Sequence, residues 1–195
     1  MAFAITDGKT TLYTDFPYES GAFGYMVYDF AAVPKAAPAV CLITHGHRDH
    51  FDPALFSRMD AKVIAPPRFA ATLPAGRVIP FAPRIVFRDI TVQPFKTPHG
   101  SSEHFSYLVT WHGRRLYFTG DTDSTDQLLA LKDLDCAFVS PWLLEACARK
   151  NARIDARRVI VYHHRADETV AAYPRALVPR QGQTVSIEGR IASGS

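Results

Sequence analysis

The chain has no apolar run long enough to cross a membrane, and no basic flank ahead of one: its start, Met1-Ala2-Phe3-Ala4-Ile5-Thr6-Asp7, turns polar within a few residues. A spanning helix needs about 20 apolar residues, and a secretory leader needs a charged start before its apolar middle. Neither pattern is met, so a cytoplasmic location is the expectation. Cysteine is scarce. Cys41, Cys136 and Cys147 are odd in number and lie in apolar surroundings, which argues for reduced, buried thiols over a disulfide framework. Charge of one sign is scarce too. A formal +3 demands neither a nucleic-acid nor a membrane partner, yet does not discourage an anionic small-molecule substrate. Internal repeats and low-complexity segments are missing, and nothing in the sequence marks an oligomeric state.

What is present is core-forming material. Of 195 residues, 47% are hydrophobic, with thirteen Phe and eight Tyr, enough for one sizeable core and too few for two comfortable domains. One domain over residues 1–189 is expected, with a disordered tail over 190–195. Short strand-like runs recur along it. Ala2–Thr6 and Thr10–Asp15 form a predicted hairpin across Asp7-Gly8-Lys9. Phe16–Pro38 reads as a long loop with a short strand near Tyr25–Tyr28. Asp52 caps a predicted helix whose first residue is Pro53. Strands are further predicted at Lys62–Ala65, Arg77–Pro80, Ile85–Phe87, Ile90–Phe95, Phe105–Thr110, Arg114–Thr119, Cys136–Val139, Arg158–Tyr162 and Gln183–Glu188. Helices are predicted over Pro66–Thr72, near Asp126–Lys132 and from Pro141 to about Lys150. Strands followed by helices in both halves imply a layered α/β domain with sheets inside and helices outside.

The run Thr44-His45-Gly46-His47-Arg48-Asp49-His50 stands out, directly after the apolar Ala39-Val40-Cys41-Leu42-Ile43. Side chains alternate along a strand, so His45 and His47 leave its end on one side and are placed to hold one ion together. Asp49 and His50 fall in the turn beyond, aimed away from that pair, which suits a second ion nearby. The plain alternative is a solvated His-rich turn.

Three later residues share one context, a polar side chain at a strand exit. His99 follows Thr91–Lys96, Asp121 follows Leu116-Tyr117-Phe118, and His163 follows Val159–Tyr162. In layered α/β folds strand exits converge on one rim. Taken singly, His99 reads as a loop histidine, Asp121 as a turn cap and His163 as an exposed neighbour of His164; their joint occurrence after H-x-H-x-D-H favours a metal centre.

The order T-H-x-H-x-D-H, then His, then Gly-Asp, then a late strand ending in His resembles the metallo-β-lactamase fold superfamily. It is most similar to the small metal-dependent hydrolase branch related to ascorbate-6-phosphate lactonase. The resemblance covers most of the chain. It implies an α/β (α+β) fold, a four-layer αββα sandwich with a dinuclear site at its rim. By the same resemblance His45, His47 and His99 hold the first ion, Asp49, His50 and His163 the second, and Asp121 bridges them, with His163 chosen over His164. The expected cofactors are two divalent metal ions; zinc leads, while an imidazole and carboxylate set without thiolate also accepts manganese or iron. A hydroxide between the ions would attack an ester, lactone, amide or phosphodiester, oriented by Asp49 and Asp121. Asp121, where the main zinc β-lactamases carry cysteine, argues against antibiotic hydrolysis, and His47 in place of Glu argues against the diiron flavoprotein branch.

Beside this set, His104 is placed to polarise a substrate carbonyl or donate a proton, or merely to bond its own loop. Arg165 is placed to clamp an anion, and Tyr18, Phe23, Tyr25 and Trp142 to wall a pocket or fill core. The basic residues Arg149, Lys150, Arg153, Arg157 and Arg158 read better as a solvated face than as a nucleic-acid surface, because no aromatics interleave them. Two rivals to the hydrolase remain: a nuclease or cyclic-nucleotide phosphodiesterase, and a non-catalytic metal-binding or partner-binding module.

Overall fold

The structure is a computed structural model that describes residues 2–165, 167–170 and 172–187. Two sheets lie face to face. The first is four-stranded, in the order β1 (Phe3–Thr6), β2 (Thr11–Thr14), β3 (Ala39–Leu42), β4 (Lys62–Ile64). Its first pair is the antiparallel hairpin, and β2, β3 and β4 run parallel. The second sheet is seven-stranded. Its members are β5 (Ile85–Phe87), β6 (Ile90–Lys96), β7 (Phe105–Trp111), β8 (Arg114–Phe118), β9 (Leu134–Val139), β10 (Ala156–Val161) and β11 (Ala176–Leu177), in the spatial order β11-β10-β9-β8-β7-β6-β5. Meander pairing joins β5 to β8, and parallel pairing joins β8 to β11.

Alternation along the strands sorts the apolar side chains into layers. Leu12, Val40, Leu42 and Ile64 of the first sheet face Val92, Tyr107, Val109, Leu116, Phe118, Phe138 and Ile160 of the second. The residues between them point outward. Tyr13, Cys41 and Val63 meet Phe56 and Phe69, from the short helices α1 (Pro53–Ser57) and α2 (Pro67–Ala70), and the aromatic loop residues Phe16 and Phe30. On the far side Leu108, Tyr117, Ala137, Val139, Val159 and Val161 meet α3 (Asp126–Ala130) and α4 (Pro141–Arg149) through Leu128, Leu143, Leu144 and Cys147. Three apolar interlayers between four layers make the αββα sandwich. All three cysteines are free and buried, and none of the described helices is long and apolar enough to cross a membrane.

Local chemistry explains most element boundaries. The Asp52 carboxylate accepts from the backbone N–H groups of Ala54 (2.8 Å) and Leu55 (3.1 Å), with Pro53 at the first helical position. Three expected strands do not form. At Tyr25–Tyr28, just after a 3-10 turn over Ala22–Gly24, no strand forms; the Ser20 hydroxyl takes both backbone groups of Tyr28 at 2.8 Å and removes them from any ladder. Arg77–Pro80 gives one isolated bridge, Val63 to Val78, next to a second 3-10 turn, and Pro80 has no N–H to extend it. No strand forms over residues 183–187 either; the sheet edge is closed by Ala176–Leu177 on β10 instead. Glu188 and the expected disordered tail lie outside the described residues.

Three turns from both sheets meet at the pole formed by the β1–β2, β5–β6 and β7–β8 connections. His112 Nε2 lies 2.8 Å from Asp7 Oδ2 and 3.3 Å from Asp89 Oδ2, and Trp111 Nε1 donates to Asp89 at 2.9 Å. The backbone N–H of Thr10, the His112 side chain and the backbone N–H of Lys9 hold the Asp7 carboxyl well below the usual carboxylate range. A depressed carboxyl pKa stabilises the fold above the unfolded value of about 3.9 and loses that contribution as pH falls through the folded value. Asp7→Asn is therefore expected to lower the melting temperature near neutral pH, with the gap from wild type closing as pH falls below about 4. A gap that stays constant in calorimetry across that range would refute the linkage.

Candidate metal centre

The C-terminal ends of β2, β3, β6, β8 and β10 all open onto one rim, where the two sheets present the H-x-H-x-D-H turn and the later strand exits to each other. His45 and His47 leave β3, His99 leaves β6, Asp121 leaves β8 and His163 leaves β10. Their ligand atoms gather into two groups, each within 4.8 Å: His45, His47 and His99 in one, and Asp49, His50, Asp121 and His163 in the other. His164, by contrast, turns its Nδ1 to the Arg165 carbonyl at 3.0 Å and joins neither group.

Asp121 connects the groups. Its Oδ2 lies 3.0 Å from His163 Nε2, 3.1 Å from His50 Nε2 and 4.0 Å from His45 Nε2. Asp49 Oδ2 stands 3.3 Å from His163 Nε2 and 3.6 Å from His50 Nε2. His50 Nε2 and His163 Nε2 themselves face each other at 3.1 Å. Imidazole nitrogens and carboxylates packed this way have their lone pairs aimed at a common point, so a cation or a proton must sit among them. The donor set fits a divalent ion. His45 Nε2, His99 Nδ1 and Asp121 Oδ1 are buried with no hydrogen-bond partner among the described residues, as ligand atoms awaiting an ion would be.

Titration reflects the same crowding. Burial disfavours charge on His50, but Asp121 and Asp15 outweigh it and lift the imidazole to about 9. Burial opposes ionisation of Asp121, yet His50 and His163 hold its carboxyl well below the usual range. His45 is pushed far down, first by burial and then by His50, so its lone pair is free of a proton. A cation bound among these groups would compete with a proton on His50.

One residue essential to this arrangement went unnoticed in the sequence. Asp15, at the exit of β2, is buried with φ 47°, and its Oδ2 lies 2.9 Å from His50 Nδ1. Its Oδ1 accepts the Thr44 backbone N–H at 2.8 Å, and the Thr44 hydroxyl lies 3.0 Å from both carboxylate oxygens and 3.0 Å from His45 Nδ1. A carboxylate behind a ligating histidine fixes its tautomer and aims the other nitrogen at the ion. Asp15 does this for His50 directly. The available signal was its place at a strand exit, the one that marks His99, Asp121 and His163.

The remaining residues take varied positions. His104 is fully buried behind Asp121 and pushed down to about 4 by burial, its Nε2 accepting the Asp121 backbone N–H at 2.9 Å. Ser102 Oγ lies 2.9 Å from His47 Nε2, and Glu103 accepts the Arg68 backbone N–H at 2.8 Å. Tyr25 and Trp142 meet the His163 ring edge-on, with centroids 4.4 and 5.1 Å away, while Tyr18 is buried against Tyr28. Phe23 is exposed, beneath the Arg48 guanidinium at 4.7 Å, and Arg165 is exposed. In the basic run, Arg149 pairs with Glu145, Lys150 with Asp126 and Arg157 with Asp135, at 3.6, 3.6 and 3.8 Å.

Residues 30–180 match the beta-lactamase superfamily domain. The chain belongs to that superfamily. The match does not select the lactonase branch within it. Solved structures show the same fold at low identity. A candidate metal-dependent hydrolase from Veillonella parvula is 15% identical with a TM-score of 0.68, over 94% of this chain and 95% of its own. Another from Parabacteroides distasonis is 21% identical with a TM-score of 0.64, over 87% and 80%. The metallo-beta-lactamase fold protein YhfI from Bacillus subtilis is 14% identical with a TM-score of 0.63, over 84% and 77%. No curated protein sequence matches the chain.

Proposed function

We propose that this superfamily member is a dinuclear metal-dependent hydrolase acting on a small substrate through an ester, lactone, amide or phosphodiester bond. The observation that carries the reading is Asp121 Oδ2 facing His50, His163 and His45 across both ligand groups. Two divalent ions, zinc by preference and manganese or iron by compatible donor chemistry, would supply Lewis acidity and a water acidic near neutral pH. His45, His47 and His99 would hold one of them, Asp49, His50 and His163 the other, and Asp121 both.

The chain's own residues do the rest. Asp49 and Asp121 are acceptors at the rim, set to orient an attacking water by its protons. His50, its Nδ1 held by Asp15, would offer Nε2 to an ion. His104, with both ring nitrogens engaged and no exposure, fits a positioning residue better than an acid facing substrate. Tyr25 and Trp142 confine the His163 ring and with it one wall of the rim.

Protein purified without added metal should contain about two ions per chain by elemental analysis. It should hydrolyse at least one member of a panel of aryl esters, lactones and phosphodiesters, at a rate that His45→Ala lowers by at least 100-fold. Wild type and variant hydrolysing the whole panel equally poorly would end the catalytic reading, and salt-sensitive binding of nucleic acid would favour a nuclease.

A further inference from the structure

We infer that His104 is a neutral histidine carrying its proton on Nδ1, and that it positions Asp121 through a closed hydrogen-bond loop around Gly120. The inference rests on the reading of Asp121 as a metal ligand, but its geometry stands by itself. The Asp121 backbone N–H donates to His104 Nε2 at 2.9 Å, so that nitrogen must be an unprotonated acceptor. The opposite end of the loop fixes the same tautomer independently. Ser106 Oγ lies 2.6 Å from the Thr119 carbonyl and spends its single proton there. Thr97 Oγ1, 3.0 Å from Ser106 Oγ, must then donate to Ser106. That leaves Thr97 Oγ1 only as an acceptor toward His104 Nδ1, at 2.9 Å, so Nδ1 carries the proton.

The direction of every bond is thereby set: Asp121 N–H to His104, His104 to Thr97, Thr97 to Ser106, Ser106 to the Thr119 carbonyl. The loop begins and ends on the residues flanking Gly120, and so grips both sides of the turn that delivers Asp121. His104, Ser106 and Thr119 are fully buried, where unmet donors and acceptors are costly. The grip also explains the glycine. Gly120 has φ 60°, and a Cβ there would lie 2.3 Å from His104 Nε2 and 2.8 Å from Thr44 Cβ. A side chain at this position and His104 in its place exclude each other.

Two measurements test the inference on the full chain. Nitrogen-15 NMR of labelled wild type should show the His104 ring as the neutral Nδ1–H tautomer; an Nε2–H tautomer or an imidazolium near neutral pH overturns the proposal whatever the metal content. Zinc affinity by competition with a chelator should fall about 10- to 100-fold in His104→Ala. His104→Gln, whose carbonyl can accept the Asp121 N–H and whose amide can donate to Thr97, should recover much of that loss. If wild type binds zinc and His104→Ala binds it equally well, His104 does not position Asp121. If wild type binds no zinc, the metal reading fails, while the tautomer still decides the hydrogen-bond loop.

Discussion

Replacing Asp121 by alanine is expected to take metal content from about two ions per chain to below one, and to abolish hydrolysis with it. The reason is geometric. Asp121 Oδ2 faces His45 on one side and His50 with His163 on the other. Without it each histidine group keeps at most three protein donors, and nothing holds two cations close against their mutual repulsion. The folded chain without metal should suffer less, and for an instructive reason. His50, lifted to about 9 mainly by the Asp121 and Asp15 charges acting against burial, loses one of those charges and should titrate lower in the variant. Elemental analysis and a His50 proton titration followed by NMR check both halves. An Asp121→Ala protein that still carried two tightly held ions would remove the bridging role.

Asp15→Ala should be nearly as damaging, by another route. The carboxylate touches no ion in this reading, yet it holds His50 Nδ1 at 2.9 Å and Thr44 through both backbone and hydroxyl. Removing it leaves a buried imidazole N–H and a buried backbone N–H unmet. A broken buried pair of this kind costs about 3–5 kcal/mol, and loss of a carboxylate behind a ligating histidine lowers metal affinity about 10- to 100-fold. Chemical denaturation of the metal-free protein reads the first effect and chelator competition the second. Asp15→Asn separates them: its amide keeps the size and one acceptor, so stability should recover more than affinity. Equal recovery of both would mean that the charge on Asp15 is irrelevant to the ions.

Much of this was legible in the sequence because the relevant physics is local. The apolar run Ala39–Leu42 reads as a buried strand, Phe105–Thr110 as another, and Asp52-Pro53 marks the start of a helix, where α1 begins. The rim was legible because His99, Asp121 and His163 each follow a recognisable strand, and His45 and His47 follow another. Two expected strands did not form where a side chain competed with the backbone ladder or proline removed a donor, as with Ser20 at Tyr28 and Pro80 after Val78. Asp15 was passed over because, as the last residue of a hairpin strand, its carboxylate is unremarkable until β3 lies beside it. The His104 loop was beyond reach for the same reason. Its members are separated in sequence, and only the register of β7 against β6 and β8 brings Thr97, Ser106 and Thr119 within reach of one another.

The two sheets contribute unequally but jointly to the rim: the β3 turn brings His45, His47, Asp49 and His50, and the larger sheet brings His99, Asp121 and His163. Cations held there would act as rivets through the sandwich, because the halves could not slide or part without dismantling the coordination sphere.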